Sequence, residues 1–158
     1  MSVAQPAPGS VVVGVDGSKS SLKALRWAAF VASATGSTLV VASAYQPAPT
    51  FGLVGSGRRS AAERDPDAVS REALEALVHR VLGGPSPAGL ECRVLRGNAA
   101  ELLLDLSAHA RMLVLGSRRH GRVRRLLPGS VSAACTEQAT CRVLVVDGTT
   151  PPPPHHRA

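Results

Sequence analysis

The stretch "SVVVGVDGSKSSLKALRWAAFVASATGSTLVVASAY", residues 10–45, decides how this chain folds. It opens with a short aliphatic, β-branched run that stops at Asp16-Gly17, the composition of a buried strand and its exit turn. Helical spacing follows. Leu22, Leu25, Ala29 and Ala32 share one face, Ser18 or Ser20 can cap the start, and Gly36 stops the helix. "STLVVASAY" (37–45) is then a second strand. A strand, a helix and a strand in so short a span predict a parallel pair, since a right-handed crossover needs the helix.

The rest of the chain repeats this alternation. "QPAPTFGLVGSGRRSAAER" (46–64) is rich in Pro, Gly and Ser and long for a connection, so residues 46–65 are expected to form a mobile loop. A second helix follows "DPD", with Leu74, Leu77, Val78 and Val81 on one face and "GGPSP" at its end. "LECRVLRG" (90–97) is a third strand. Asn98 can cap a third helix whose face is Ala99, Leu102, Leu103, Leu106 and Ala110. "RMLVLGS" (111–117) is a fourth strand, "GSVSAACTEQAT" (129–140) a short helix and "CRVLVVDG" (141–148) a fifth strand. The pattern predicts an α/β fold: a single-domain, five-stranded parallel open sheet with helices on both faces. Residues 9–148 form the expected domain, with residues 1–8 a flexible N-terminus and the tail "TTPPPPHHRA" (149–158) disordered.

Composition agrees. The chain has 158 residues, enough for one domain with a sizeable core, and is 44% hydrophobic but only 3% aromatic. The core is therefore built from Val, Leu and Ala, which suits doubly covered parallel strands. A formal charge of +7 favours anionic partners without naming one. Three cysteines (Cys92, Cys135, Cys141) without a CxxC pair support neither a disulfide scaffold nor a zinc site. The N-terminus has no apolar signal core, and no run approaches the roughly 18 apolar residues of a membrane span. The sequence thus reads as soluble and cytoplasmic.

The candidate site is "GSRRHGRVRRLLPGS", residues 116–130. It leaves a strand, passes through glycines and enters a helix at Gly129-Ser130. Glycines let the backbone approach a phosphate, and the unpaired amides and dipole of the helix start favour negative charge. Ser117, Ser130 and Ser132 can add hydroxyl donors. The five arginines can pair with phosphates, serve nucleic acid, or simply solvate a loop. Nucleic acid is disfavoured by the lack of interleaved aromatics. Asp16, at the end of the first strand, lies on the same sheet edge and can accept from a ribose or a base; its alternative role is to cap the Asp-Gly turn. "GVDGSKSS" is not a Walker A loop, because Ser18 separates Gly17 from Lys19. No residue set reads as catalytic: there is no G-x-S-x-G elbow, and no cysteine sits in a nucleophile context. His109 reads as a helix-end partner and His120 as a loop surface residue, while His155-His156 on the proline tail do not make a metal site.

Three segments, "VVVGVDGSKSSLKALRWAA", "VLRGNAAELLLDLSAHARMLVLGSR" and "GSVSAACTEQATCRVLVV", make the chain resemble the universal stress protein family over residues 9–147. The resemblance implies an open Rossmann-like sheet of the adenine nucleotide alpha hydrolase type. The ATP-binding branch carries G-x2-G-x9-G-[S/T] after its fourth strand. Gly116 matches the first glycine and Gly129-Ser130 the closing pair, whereas the second glycine falls on Arg119. Gly121 matches a further loop glycine. By the same resemblance Asp16 meets adenosine, Ala44 lies against adenine, and Ser117, Arg118, Arg119, Gly121, Val131 and Ser132 complete the nucleotide site. The resemblance implies ATP, with magnesium or manganese carried by its phosphates, a non-catalytic regulatory role in stress response, and a homodimer joined through Cys141 to Val146. A member that does not bind ATP and acts through protein or nucleic-acid contacts is the alternative. The family also places an acid where this chain has Arg111.

Overall fold

A computed structural model describes residues 3–46, 66–84, 87, 89–117 and 130–154, with backbone alone at 66–69. Among these residues the elements run β1 (Val11–Gly14), α1 (Lys19–Thr35), β2 (Leu39–Tyr45), α2 (Pro66–Leu82), β3 (Glu91–Arg96), α3 (Ala99–Ser107), β4 (Met112–Gly116), α4 (Val131–Gln138) and β5 (Arg142–Val146). The strands pair parallel in the order β3-β2-β1-β4-β5, so the predicted five-stranded parallel sheet is the observed one. In register, Val12 of β1 stands between Val40 of β2 and Leu113 of β4.

Successive side chains of a strand point to opposite faces, and the core divides accordingly. Val11, Val13 and Val41 pack with Leu25 and Ala28 of α1 and Leu74 and Val78 of α2. Val12, Val40 and Leu113 pack with Leu103 and Leu106 of α3 and Cys135 of α4. Helices thus cover both faces. Ser18 caps α1, its side chain accepting from the Ser21 amide, and Gly36 ends the helix in the left-handed conformation at φ 63°. Asn98 caps α3 by accepting from the amides of Ala100 and Glu101.

Three expectations shift. The buried face of α1 centres on Ala24, Leu25, Ala28 and Ala32, while Leu22 and Ala29 lie half-buried at its flanks. Alanines at the centre let the helix sit close against the strands, and the larger side chains wedge in from the sides. Ala110 lies beyond the end of α3 at Ser107, in the connection to β4.

The third shift concerns the ends. Pro6 is buried and Val3 packs on the α3–α4 face, while the Arg93 guanidinium donates to the Ala4 carbonyl. The Gly9 amide donates to the His109 carbonyl at 3.0 Å. At the other end Lys23 and Trp27 of α1 donate to the carbonyls of Gly148 and Pro151, at 2.6 and 2.9 Å. Residues 3–8 and 149–151, expected to be flexible and disordered, therefore lie against the domain. The N-terminal segment adds Val3 and Pro6 to the apolar packing, and each segment is held by donors from a distant element. Residues 47–65, nearly all of the expected mobile loop, are outside the described residues. No helix among the described residues is long and apolar enough to cross a membrane.

Candidate functional site

Strand order reverses between β1 and β4, which opens a crevice at the carboxyl ends of these strands. A cleft of about 150 Å³ occupies it. Its floor is small and aliphatic, with Gly14 and Val15 from β1 and its exit, Ala42 and Ala44 from β2, Leu103 from α3, and Leu115 and Gly116 from β4. Its rim comes from the helix starts: Asp16, Ser18 and Ser21 at α1, Ala99 at α3, and Val131 and Ser132 at α4. A second recess of about 260 Å³ adjoins it, sharing Ala44, Ala99 and Val131 and adding Gln46, Gly97, Asn98 and Ala100.

Three helix N-termini therefore face one space. At α4 the Ser130 side chain accepts from the Ala133 amide at 3.2 Å, and the Ser130 carbonyl from the Ala134 amide at 3.0 Å. The amides of Val131 and Ser132 precede the first intrahelical bond and have no acceptor within their own helix. At α1 the Ser21 amide goes to the Ser18 hydroxyl and the Leu22 amide to the Ser18 carbonyl, leaving Lys19 and Ser20 in the same position. Each helix start favours a nearby anion by about 0.3–1 kcal/mol when exposed.

Asp16 is exposed at the rim, and its Oδ1 accepts from the Ser18 amide at 2.9 Å. Gly17, at φ 82°, lets the chain turn there. The carboxylate thus serves the Asp-Gly turn and lines the cleft at once. It is the only ionisable side chain among the described lining residues.

Gly116 lines the cleft and also meets a packing constraint. A Cβ built there would stand 2.5 Å from the Ser21 amide nitrogen and 2.6 Å from the Ser20 carbonyl carbon. The missing side chain lets the end of β4 abut the first turn of α1. Ser117 is buried, does not line the cleft, and donates its amide to the Val146 carbonyl at 2.8 Å. Ser132 does line it, buried to 6% exposure, with its hydroxyl 3.3 Å from that of Ser130. Val131, 38% exposed, stands at the mouth between the two recesses. Ala44 also belongs to both. Arg118, Arg119, His120, Gly121 and Gly129 are outside the described residues.

The sequence missed Ser21, Gln46 and Asn98 as cleft residues. Asn98 was legible only as a cap, because nothing local says that α3 begins beside the end of β2. The cysteines lie elsewhere. Burial, and to a lesser degree Cys141, pushes the Cys135 thiol up to about 11. Burial and then Glu75 raise Cys92. No cluster of three metal-ligating side chains exists among the described residues.

Residues 9–147 match the profile of the Universal stress protein family. The chain belongs to that family. It is similar to a universal stress protein of Mycolicibacterium smegmatis, 30% identical over 141 residues, covering 87% of this chain and 48% of the relative. It also resembles a universal stress protein of Thermus aquaticus encoded in the QAH/OAS sulfhydrylase 3' region, 30% identical, with 87% of this chain and 97% of the relative aligned. The chain therefore spans about half of the mycobacterial universal stress protein and nearly all of the Thermus one. Among solved structures it superposes on a universal stress protein in complex with cAMP, with a TM-score of 0.64 and 25% identity over 89% of this chain and 98% of the other. That superposition agrees with the parallel sheet described above.

Proposed function

We propose that this universal stress protein is an ATP-binding, non-catalytic regulatory module. The observation that carries the proposal is the convergence of Asp16, the tight β4–α1 junction at Gly116 and the open start of α4 on one cleft at the strand-order reversal. The aliphatic floor suits a base, Asp16 suits a ribose hydroxyl, and the Val131 and Ser132 amides suit phosphate. The cAMP complex of a similar protein supports an adenine nucleotide as the ligand class.

The described residues fit a nucleotide better than a resident metal. With Asp16 the only carboxylate among those lining the cleft, magnesium or manganese would arrive on the phosphates, where it offsets their charge. The regulatory, non-catalytic role is the one that the resemblance to the family implies. ATP would act by preferring one conformation of the module or of a pair of modules. Such a pair would form along β5, Cys141 to Val146. The run of five arginines between Gly116 and Ser130 and the replacement of a motif glycine by Arg119 favour a second reading, a member that does without ATP and acts through protein or nucleic-acid contacts of its basic surface.

Calorimetric titration of the purified chain with ATP and magnesium at two salt concentrations, beside an Arg119→Gly variant, tests this. Saturable micromolar binding by the native chain is the expected result. Silence in the native chain with binding by the variant would reject the ATP module in favour of the second reading.

A further inference from the structure

β5 ends at Val146, and the chain turns immediately. Asp147 Oδ1 accepts from the Thr149 and Thr150 amides at 2.8 and 2.9 Å and from their hydroxyls at 2.6 and 3.1 Å. This turn lays residues 148–151 across α1. There Lys23 Nζ donates to the carbonyls of Gly148 and Thr150, at 2.6 and 3.4 Å, and the Trp27 indole N–H to that of Pro151 at 2.9 Å. Lys23 and Trp27 lie one helical turn apart, so both donors project from one face of α1. Trp27 is itself set by Phe30, edge to face at 5.8 Å.

The same place adjoins the cleft. Gly116, a cleft residue, is paired in register with Val146, and Ser117 donates to the Val146 carbonyl. Lys23 belongs to the first turns of the helix whose Ser18 and Ser21 form the rim. Its ammonium is held at Gly148, two residues beyond the Val146 that pairs with Gly116 at the end of β4. It spends its hydrogen bonds there on neutral carbonyls. A charge-assisted bond to a phosphate oxygen is roughly twice as strong as a neutral one.

We propose that residues 147–151 form a strap that competes with ligand phosphate for Lys23, so that a polyphosphate nucleotide loosens the C-terminal segment. The inference rests on the nucleotide reading above and adds to it a phosphate-contacting residue and a moving part. Competition has a distinctive sign. Weakening the strap tightens binding, because more of the protein is already competent.

The test uses the full-length chain. Trp27 is the only tryptophan, so its indole N–H gives one nitrogen-15 correlation peak. Saturation with ATP and magnesium is expected to move this peak to the position it takes in Lys23→Met, whereas adenosine leaves it in place. By calorimetry, Lys23→Met weakens ATP binding about tenfold, as loss of a charged bond implies. Trp27→Phe tightens it about threefold, and so does the uncharged pair Thr149→Val with Thr150→Val, which loosens the turn. Backbone shifts at Ser18 and Ser132 on adding ATP, with the indole peak unmoved, would overturn the strap and leave the nucleotide site standing. So would weaker binding in both strap variants. Absence of any backbone shift with ATP would overturn the nucleotide reading and the strap with it.

Discussion

Two glycines near the cleft do different work. Gly17 occupies left-handed backbone, φ 82°, with open space where a Cβ would go. Gly116 has no positive φ, and its constraint is the backbone of Ser20 and Ser21 within 2.8 Å of the Cβ position. Backbone cannot rotate away as a side chain does. Gly116→Ala is therefore expected to cost about 2–3 kcal/mol, at the upper range of overpacking, and Gly17→Ala about 1–2 kcal/mol for an L-residue held left-handed. Urea denaturation of both variants measures this; a Gly116→Ala protein of native stability would show that the junction gives way easily. The position of Gly116 was legible as the end of an aliphatic run before a glycine-rich loop, but its reason was not. Closeness of β4 to α1 is a tertiary fact. The position of Asp16 and its bond in the turn were legible because a strand exit and an Asp-Gly turn are local. Gln46 and Asn98 were not, since their recess exists only once β2 and β3 lie side by side.

At the level of elements, alternating aliphatic runs and helical spacing gave all nine described segments in order, because strand and helix periods are written in neighbouring residues. The contacts of the ends were not legible for the opposite reason. "TTPPPP" has nothing to bury, and the donor that holds Gly148 lies 125 residues away in sequence. The turn at Asp147 gives this segment a measurable acid response. Hydrogen bonds from Thr149, then from Thr150, pull its carboxyl down to about 2 from an ordinary 3.8. A carboxyl depressed in the folded state stabilises above its unfolded pKa and loses that contribution as pH falls through the folded one. The strap is thus expected to hold above about pH 4 and to loosen between pH 4 and 2. The indole peak followed through an acid titration checks it, and Asp147→Asn should remove the transition from that window.

Across the whole molecule the two sheet edges contrast. β3 carries an Arg93–Glu91 ion pair at 2.7 Å, and Arg93 also ties the N-terminal segment down through Ala4. Charges and a covering segment are the ordinary protections of an edge. β5 presents half-buried Val143, Leu144 and Val145 in a row, the edge suited to the proposed pairing of two copies. Val146 turns its carbonyl toward β4, so the neighbouring Val145 turns its N–H and carbonyl outward. Val145→Pro should then keep the monomer folded while removing an outward donor, and Leu144→Pro should break the β4 ladder. Light scattering with circular dichroism separates the two: the first variant is expected as a folded monomer, and a folded dimer would place the interface elsewhere. The central position of β1 also bears on biosynthesis. Val11, Val12 and Val13 need β4 along one side, yet residues 112–116 leave the ribosome some hundred residues later. Until then the nascent β1–β2–β3 half has a naked, all-valine margin, and trigger-factor-type holdases are expected to be needed for that interval more than for any later one.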